Sequence, residues 1–349
     1  MRTLPLLAGV GVIGAGLIGL AALTLTGNDD GDTAMPAFPA LAQHQDAVTA
    51  IVLGDEGQTL RLTRENGWRL ADKAGYPVEN EKVEGLLAAL AQSRLSETPL
   101  QASGSQTSQR VRLETEQGEA LADFRIIGWG GVAGQIEPVT AISHADGGVS
   151  TITGRLMAGN QAEDWAEPHV VDISRWRIAQ AVTAGDPPVE VVQRPDGSGF
   201  NLQPESSAVE GEWITQTIAG ALERIYFSDA LPLEAGAGME ELGEARYTTL
   251  DGLRITARLL RDNEKQVWVH LEPQPSPPIN QDRESMSLMA QAQVKSPEDV
   301  EREIAQVRDR SAGRLLRVSD VTAMVMTVTP GSLDRLSQPT ERQTSEEGP

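Results

Sequence analysis

The chain has 349 residues, with 50 acidic against 29 basic side chains and a net charge of −21. That balance argues against nucleic acid, whose phosphates would be repelled, and against adhesion to anionic lipid. Cysteine is absent, which removes disulfides, thiolate zinc sites, thiol nucleophiles and lipoprotein anchoring together, and suits an oxidising compartment.

Apolar residues make up 40 %, ample for a core, but aromatics only 4 %, so alanine, leucine and valine must do most of the filling. Residues 5–27 carry no charge and nothing more polar than threonine. As a helix they would extend roughly 34 Å, enough for a hydrocarbon core of about 30 Å. Arg2 and the amino terminus precede the span, and Asp29, Asp30 and Asp32 follow it. This asymmetry predicts a single-pass inner-membrane anchor with a cytoplasmic N terminus and a periplasmic body. Gly9, Gly11 and Gly14 match a dinucleotide-binding glycine pattern, but almost nothing precedes them and no βαβ context is present. A cleavable signal peptide is the competing reading. The run is longer than a usual signal core, and Thr24-Leu25-Thr26 is a poor cleavage site. Gly11, Ala15 and Gly19 fall four apart and share one helix face, a possible packing face for a second membrane helix.

Residues 28–45 read as a tether. Strand-like runs follow at 50–53, 59–63 and 68–70, closed by Tyr76-Pro77. From Asn80 the period becomes helical, with Val83, Leu86, Leu87, Leu90 and Leu95 on one stripe. Residues 111–115 and 121–127 read as a hairpin, 140–143 as a short strand, and 150–158 as weakly helical. The second half repeats this order. Strands at 189–193 and 200–203 bracket a Pro-Asp-Gly turn, and a helix from Glu212 places Ile214, Ile218, Leu222 and Ile225 on one face. Strands at 253–260 and 266–271 come next. Residues 272–295, rich in Pro, Ser and Gln, read as a mobile insertion. Ser296-Pro297 opens a capped helix with Val300, Ile304 and Val307 inside. A strand at 315–318, a short helix at 320–326 and a polar, disordered tail at 338–349 complete the chain.

The expected fold is therefore α+β: an N-terminal transmembrane helix followed by two diverged repeats of mainly antiparallel sheet with packed helices. The expected divisions are anchor 1–27, tether 28–45, first repeat with connector 46–185, second repeat 186–337 and tail 338–349.

Asp46-x-Val48-x-x-Ile51, the 67–70 strand, Tyr76-Pro77-Val78, the 82–90 helix, Ile127-Gly128, Asp164-Trp165 and residues 170–172 together resemble the domain-of-unknown-function 4340 family. The resemblance covers most of residues 40–235. It implies an envelope protein with one N-terminal membrane helix, often associated with gliding-motility-type ABC-transporter components, and it supplies no catalytic residues.

The residues themselves offer little chemistry. His44, His144, His169 and His270 are far apart and in no metal-ligand spacing. Gly197-Ser198-Gly199 sits in a turn between strands and is no nucleophile elbow. Acid pairs such as Glu240-Glu241 read as solvated surface. The six tryptophans, at 68, 129, 165, 176, 213 and 268, could line a groove, but core packing explains tryptophans at strand ends more simply. No catalytic, cofactor or metal site is expected. The leading expectation is a non-enzymatic, membrane-anchored periplasmic accessory or scaffold that assembles with envelope proteins, an ABC transporter among them. A periplasmic ligand-binding module and a hydrolase using scattered acids are the alternatives.

Overall fold

The apolar run that begins at Val48 opens a three-stranded meander, burying Val48, Ala50, Ile51 and Leu53 with a register shift between Val48 and Ala50. The computed structural model describes residues 35–55, 58–96, 108–131, 138–204, 212–279 and 286–337. The apolar span 5–27 with Gly11, Ala15 and Gly19, the 28–34 stretch and the 338–349 tail lie outside the described residues. Among the described residues no helix is long and apolar enough to cross a membrane.

The first half comprises α1 (Pro39–His44), β1 (Val48–Asp55), β2 (Gln58–Arg64), β3 (Trp68–Leu70), β4 (Tyr76–Pro77), α2 (Asn80–Gln92), β5 (Leu95–Ser96), β6 (Gln109–Thr115), β7 (Ala120–Gly131), β8 (Pro138–His144) and β9 (Val149–Thr153). Its nine strands form one antiparallel sheet in the order β4-β3-β2-β1-β6-β7-β8-β9-β5. Leu53 pairs with Leu60 and Ile51 with Leu62, all buried, which fixes the inward face. Gly67 turns β2 into β3 at φ +98, a conformation that L side chains rarely adopt. α2 buries Val83, Leu86, Leu87 and Leu90, as its period predicts.

The second half comprises β10 (His169–Val171), β11 (Ile178–Val182), β12 (Glu190–Gln193), β13 (Phe200–Gln203), α3 (Glu212–Ala219), β14 (Ile225–Tyr226), β15 (Ala230–Pro232), β16 (Glu240–Thr249), β17 (Leu253–Arg261), β18 (Val267–Pro275), α4 (Leu288–Gln293), α5 (Pro297–Ser311), β19 (Arg314–Arg317), α6 (Asp320–Met326) and α7 (Pro330–Ser337). Eight of these strands form a second sheet, β13-β12-β11-β16-β17-β18-β19-β15, while β10 pairs with β14. Apart from the extra edge strand β4, the two sheets have one order of connection. A three-strand meander leads to a helix, then an edge strand, then a four-strand run whose last member pairs with that edge strand. α5 is inserted between β18 and β19, with no equivalent between β8 and β9. Ser296 accepts from the Asp299 amide to start α5, Pro297 occupies its first turn, and Arg308 and Arg310 lie in its last. Buried side chains from both halves form one continuous cluster, from Ile51 and Leu87 to Ile255 and Ile304.

Several expectations differ from this fold. Residues 150–158 are not helical: Val149–Thr153 is β9, whose β-branched side chains suit a strand paired along β8. Leu95 and Ile225 leave their helix stripes. Leu95 is an exposed residue of β5 opposite Ile152, and Ile225 is buried in β14 opposite Val171. The division at 185/186 falls inside the second sheet, because β11 begins it at Ile178. The tether ends early: residues from Met35 belong to the folded unit, and Phe38 packs its ring 4.7 Å from that of Phe124. The proposed insertion is also partly built. β18 runs through Pro275, and Ala290 of α4 is buried with Ala179, Leu250 and Met286.

Candidate functional site

A recess of about 800 Å³ opens where the first sheet meets α5 and β19. Its charged lining is Glu65, Arg69, Arg308, Asp309 and Arg314, and the Ala74-Gly75 turn also lines it. Each side chain is placed by a local pattern. Trp68 and Leu70 are buried, so Arg69 between them on β3 points to the opposite face. On α5 the inward stripe is Val300, Ile304, Val307 and Ser311, which turns Arg308 and Asp309 outward. Arg314 opens β19 directly after Gly313, whose φ of +69 ends the helix turn.

Arg69 grips Asp309 with both terminal nitrogens, Nη1 to Oδ2 at 3.1 Å and Nη2 to Oδ1 at 2.8 Å. The forked geometry makes this stronger than a single-point pair, although Asp309 remains half-exposed. Arg314 is used differently. Its Nε donates to Ala74 O at 2.8 Å and Nη2 to Gly75 O at 2.7 Å, while Nη1 donates to Asp309 O at 2.7 Å and Ala312 O at 3.2 Å. The last two carbonyls belong to the C-terminal end of α5, so one guanidinium closes a helix end and clasps a turn of the other sheet. Burial lowers the Arg314 pKa, and the Arg69 charge lowers it further, with Asp309 opposing. Among the described residues Arg308 makes one long hydrogen bond, Nη2 to Pro273 O at 3.4 Å.

Around the recess the seam is stitched by further contacts. Lys73 pairs with Asp229 at 2.8 Å, and Arg310 with Glu167 at 3.5 Å. The Tyr76 ring packs at a tilt against that of Phe227, centroids 4.2 Å apart, and its hydroxyl donates to Glu167 O at 3.1 Å; burial raises its phenol pKa. A second recess of about 260 Å³ continues past Asn66, Asn80, Glu167 and Gln306.

Two other features stand apart from the seam. Arg177 is buried between Asp251, at 2.6 Å, and Glu303, at 2.6 Å, and Lys295 reaches Glu303 at 2.9 Å. This network ties α5 to the second sheet. A smaller cavity of about 240 Å³ lies beside Trp129, over whose ring the Arg155 guanidinium sits 5.4 Å from the centroid.

Of the residues singled out in the sequence, Gly11, Ala15 and Gly19 lie outside the described residues. His144, His169 and His270 are on strands and do not converge. His144 Nε2 meets Ser150 Oγ at 2.9 Å, the His169 ring packs at a tilt against Tyr226 with centroids 4.8 Å apart, and His270 Nδ1 meets Arg314 O at 2.9 Å. Among the described residues no group of three or more His, Asp or Glu is placed to hold a metal. Glu240 and Glu241 belong to an exposed ladder with Arg261 and Arg258. Trp68, Trp165 and Trp268 are buried in the core, whereas Trp213 is exposed. Sequence reasoning missed the arginine recess. The available signal was the run Arg302, Arg308, Arg310, Arg314 and Arg317, five cations within sixteen residues of a strongly acidic chain. No family model, curated protein or solved structure matches the chain.

Proposed function

We propose that this is a membrane-anchored, periplasm-facing accessory or scaffold protein that assembles with other envelope proteins, an ABC-type transporter among them. The observation that carries this reading is the uncharged 23-residue span at 5–27, with positive charge before it and acid after it, placed ahead of the folded unit that begins at Met35. The common strand order of the two sheets supports a diverged internal repeat. The order of the Trp68, Tyr76-Pro77 and Asp164-Trp165 patterns, which resembles that of the domain-of-unknown-function 4340 family, points the same way. Gly11, Ala15 and Gly19 would form the helix face that meets a membrane partner.

The test combines topology with assembly. A periplasm-only reporter fused after Gln338 should be active, and mild crosslinking should recover a membrane complex. Gly11→Leu with Gly19→Leu should insert normally yet recover less of that complex. Activity only from a cytoplasmic reporter, or full function of the body released as a soluble protein, would overturn the reading.

One observation favours a second reading, a periplasmic ligand-binding module. The arginine-lined recess of about 800 Å³ between the sheets is large enough to hold a small molecule.

A further inference from the structure

We infer that the recess between the first sheet and α5 binds an oxyanion, a phosphate or carboxylate group, through Arg308 with Arg69 and Arg314 beside it. The inference rests on the ligand-binding reading and names the ligand class.

The charge balance is the first argument. In a chain of net charge −21, this recess is lined by three guanidinium groups and two carboxylates. Only one of those carboxylates, Asp309, is gripped by a lining arginine. Arg314 spends its donors on four neutral carbonyl oxygens, and among the described residues no carboxylate oxygen accepts a hydrogen bond from it. The α5 C-terminal carbonyls absorb part of that charge, but the nearby Arg69 still opposes it. An added anion relieves that repulsion.

Donor availability is the second argument. Arg308 is exposed on the recess wall, and among the described residues its one hydrogen bond is a long one of 3.4 Å to the Pro273 carbonyl. Its planar fork matches the two oxygens of a carboxylate or phosphate. Asp309 already occupies the fork of Arg69 and so acts as an internal competitor for the incoming anion. Removing its charge while keeping an oxygen acceptor should strengthen anion binding. Removing Arg308 should weaken it. These opposite signs separate a site from a general salt effect, because phosphate also stabilises proteins by exclusion from their surface.

The test is isothermal titration of the detergent-solubilised full chain with sodium phosphate and, separately, with sodium citrate, in sodium chloride of matched ionic strength. Thermal melting of the same samples provides the second readout. Wild type should give saturable heat and a rise in melting temperature with at least one anion, and which anion does so identifies the group recognised. Arg308→Gln should lose saturation, weakening binding roughly tenfold or more, which corresponds to about 1.4 kcal/mol. Asp309→Asn should bind several-fold more tightly. Failure of both anions to bind wild type, or equal binding by Arg308→Gln, overturns the inference. The ligand-binding reading itself would fall separately, if ligands without an oxyanion, such as neutral sugars and polyamines, also left the melting of wild type unchanged.

Discussion

Arg314 donates from Nη2 to the carbonyl oxygen of Gly75 at 2.7 Å, joining residues 239 positions apart in the chain. The same guanidinium holds Ala74, whose φ of +52 places a side-chain-bearing residue in the left-handed region. Such a residue costs on the order of 1 kcal/mol or more and persists only where its surroundings fix it. The strained turn of one sheet and the end of α5 are therefore held by one side chain.

Arg314→Met should consequently loosen the seam more than a surface change would, by about 1–3 kcal/mol, as several carbonyls lose their donor. Arg314→Lys should rescue little, because an ammonium cannot reproduce the planar fork that serves both elements. Chemical denaturation of the two variants checks this. Equal stability of wild type and Arg314→Lys would show that charge alone suffices.

Arg177→Met should be among the most damaging single changes, at about 3–5 kcal/mol, since it strands Asp251 and Glu303 in the interior without their cation. Replacing the network wholesale with apolar residues should cost far less. A melting series of Arg177→Met against Arg177→Met with Asp251→Leu and Glu303→Leu reads the difference.

Asp251 also predicts a pH dependence. Burial raises its pKa, but hydrogen bonds from Arg177, Thr249 and the Lys295 amide outweigh that and hold the carboxyl below its ordinary 3.8. A depressed folded pKa contributes stability that is full above the unfolded value and is lost as pH falls through the folded one. Wild type should therefore lose stability below about pH 4. Asp251→Asn, weaker at neutral pH, should fall less steeply there. Parallel slopes in acid denaturation of the two proteins would exclude Asp251 as a contributor.

Leu87→Asp in α2 and Ile218→Asp in α3 should each cost about 4 kcal/mol or more by burying an unpaired charge. Since both side chains belong to one continuous cluster, each change should broaden or lower the melting of the whole folded unit. Unchanged melting in both variants would mean the stripes are not core.

The sequence by itself determined most of the local elements, because each carries its own period and punctuation. The α2 stripe, the Asn66-Gly67 turn, the Ser296-Pro297 start of α5 and the hairpin strands are legible from spacing alone. It misplaced β9, where a short β-branched run offered too few residues to separate period two from period 3.6. It also drew the internal boundary too late, since nothing local marks β11 as belonging with strands that follow. Tertiary structure decided what joins the halves. Whether Arg69 is a surface cation or half of a forked pair depends on Asp309, 240 positions away, and whether Arg314 is solvated or buried depends on the Ala74-Gly75 turn. Such contacts have no period, for an ion pair or a side-chain-to-carbonyl bond depends on how chain segments pack in space. The recess, the candidate site of this protein, forms where the 63–75 segment of the first sheet meets α5 and Arg314 of β19.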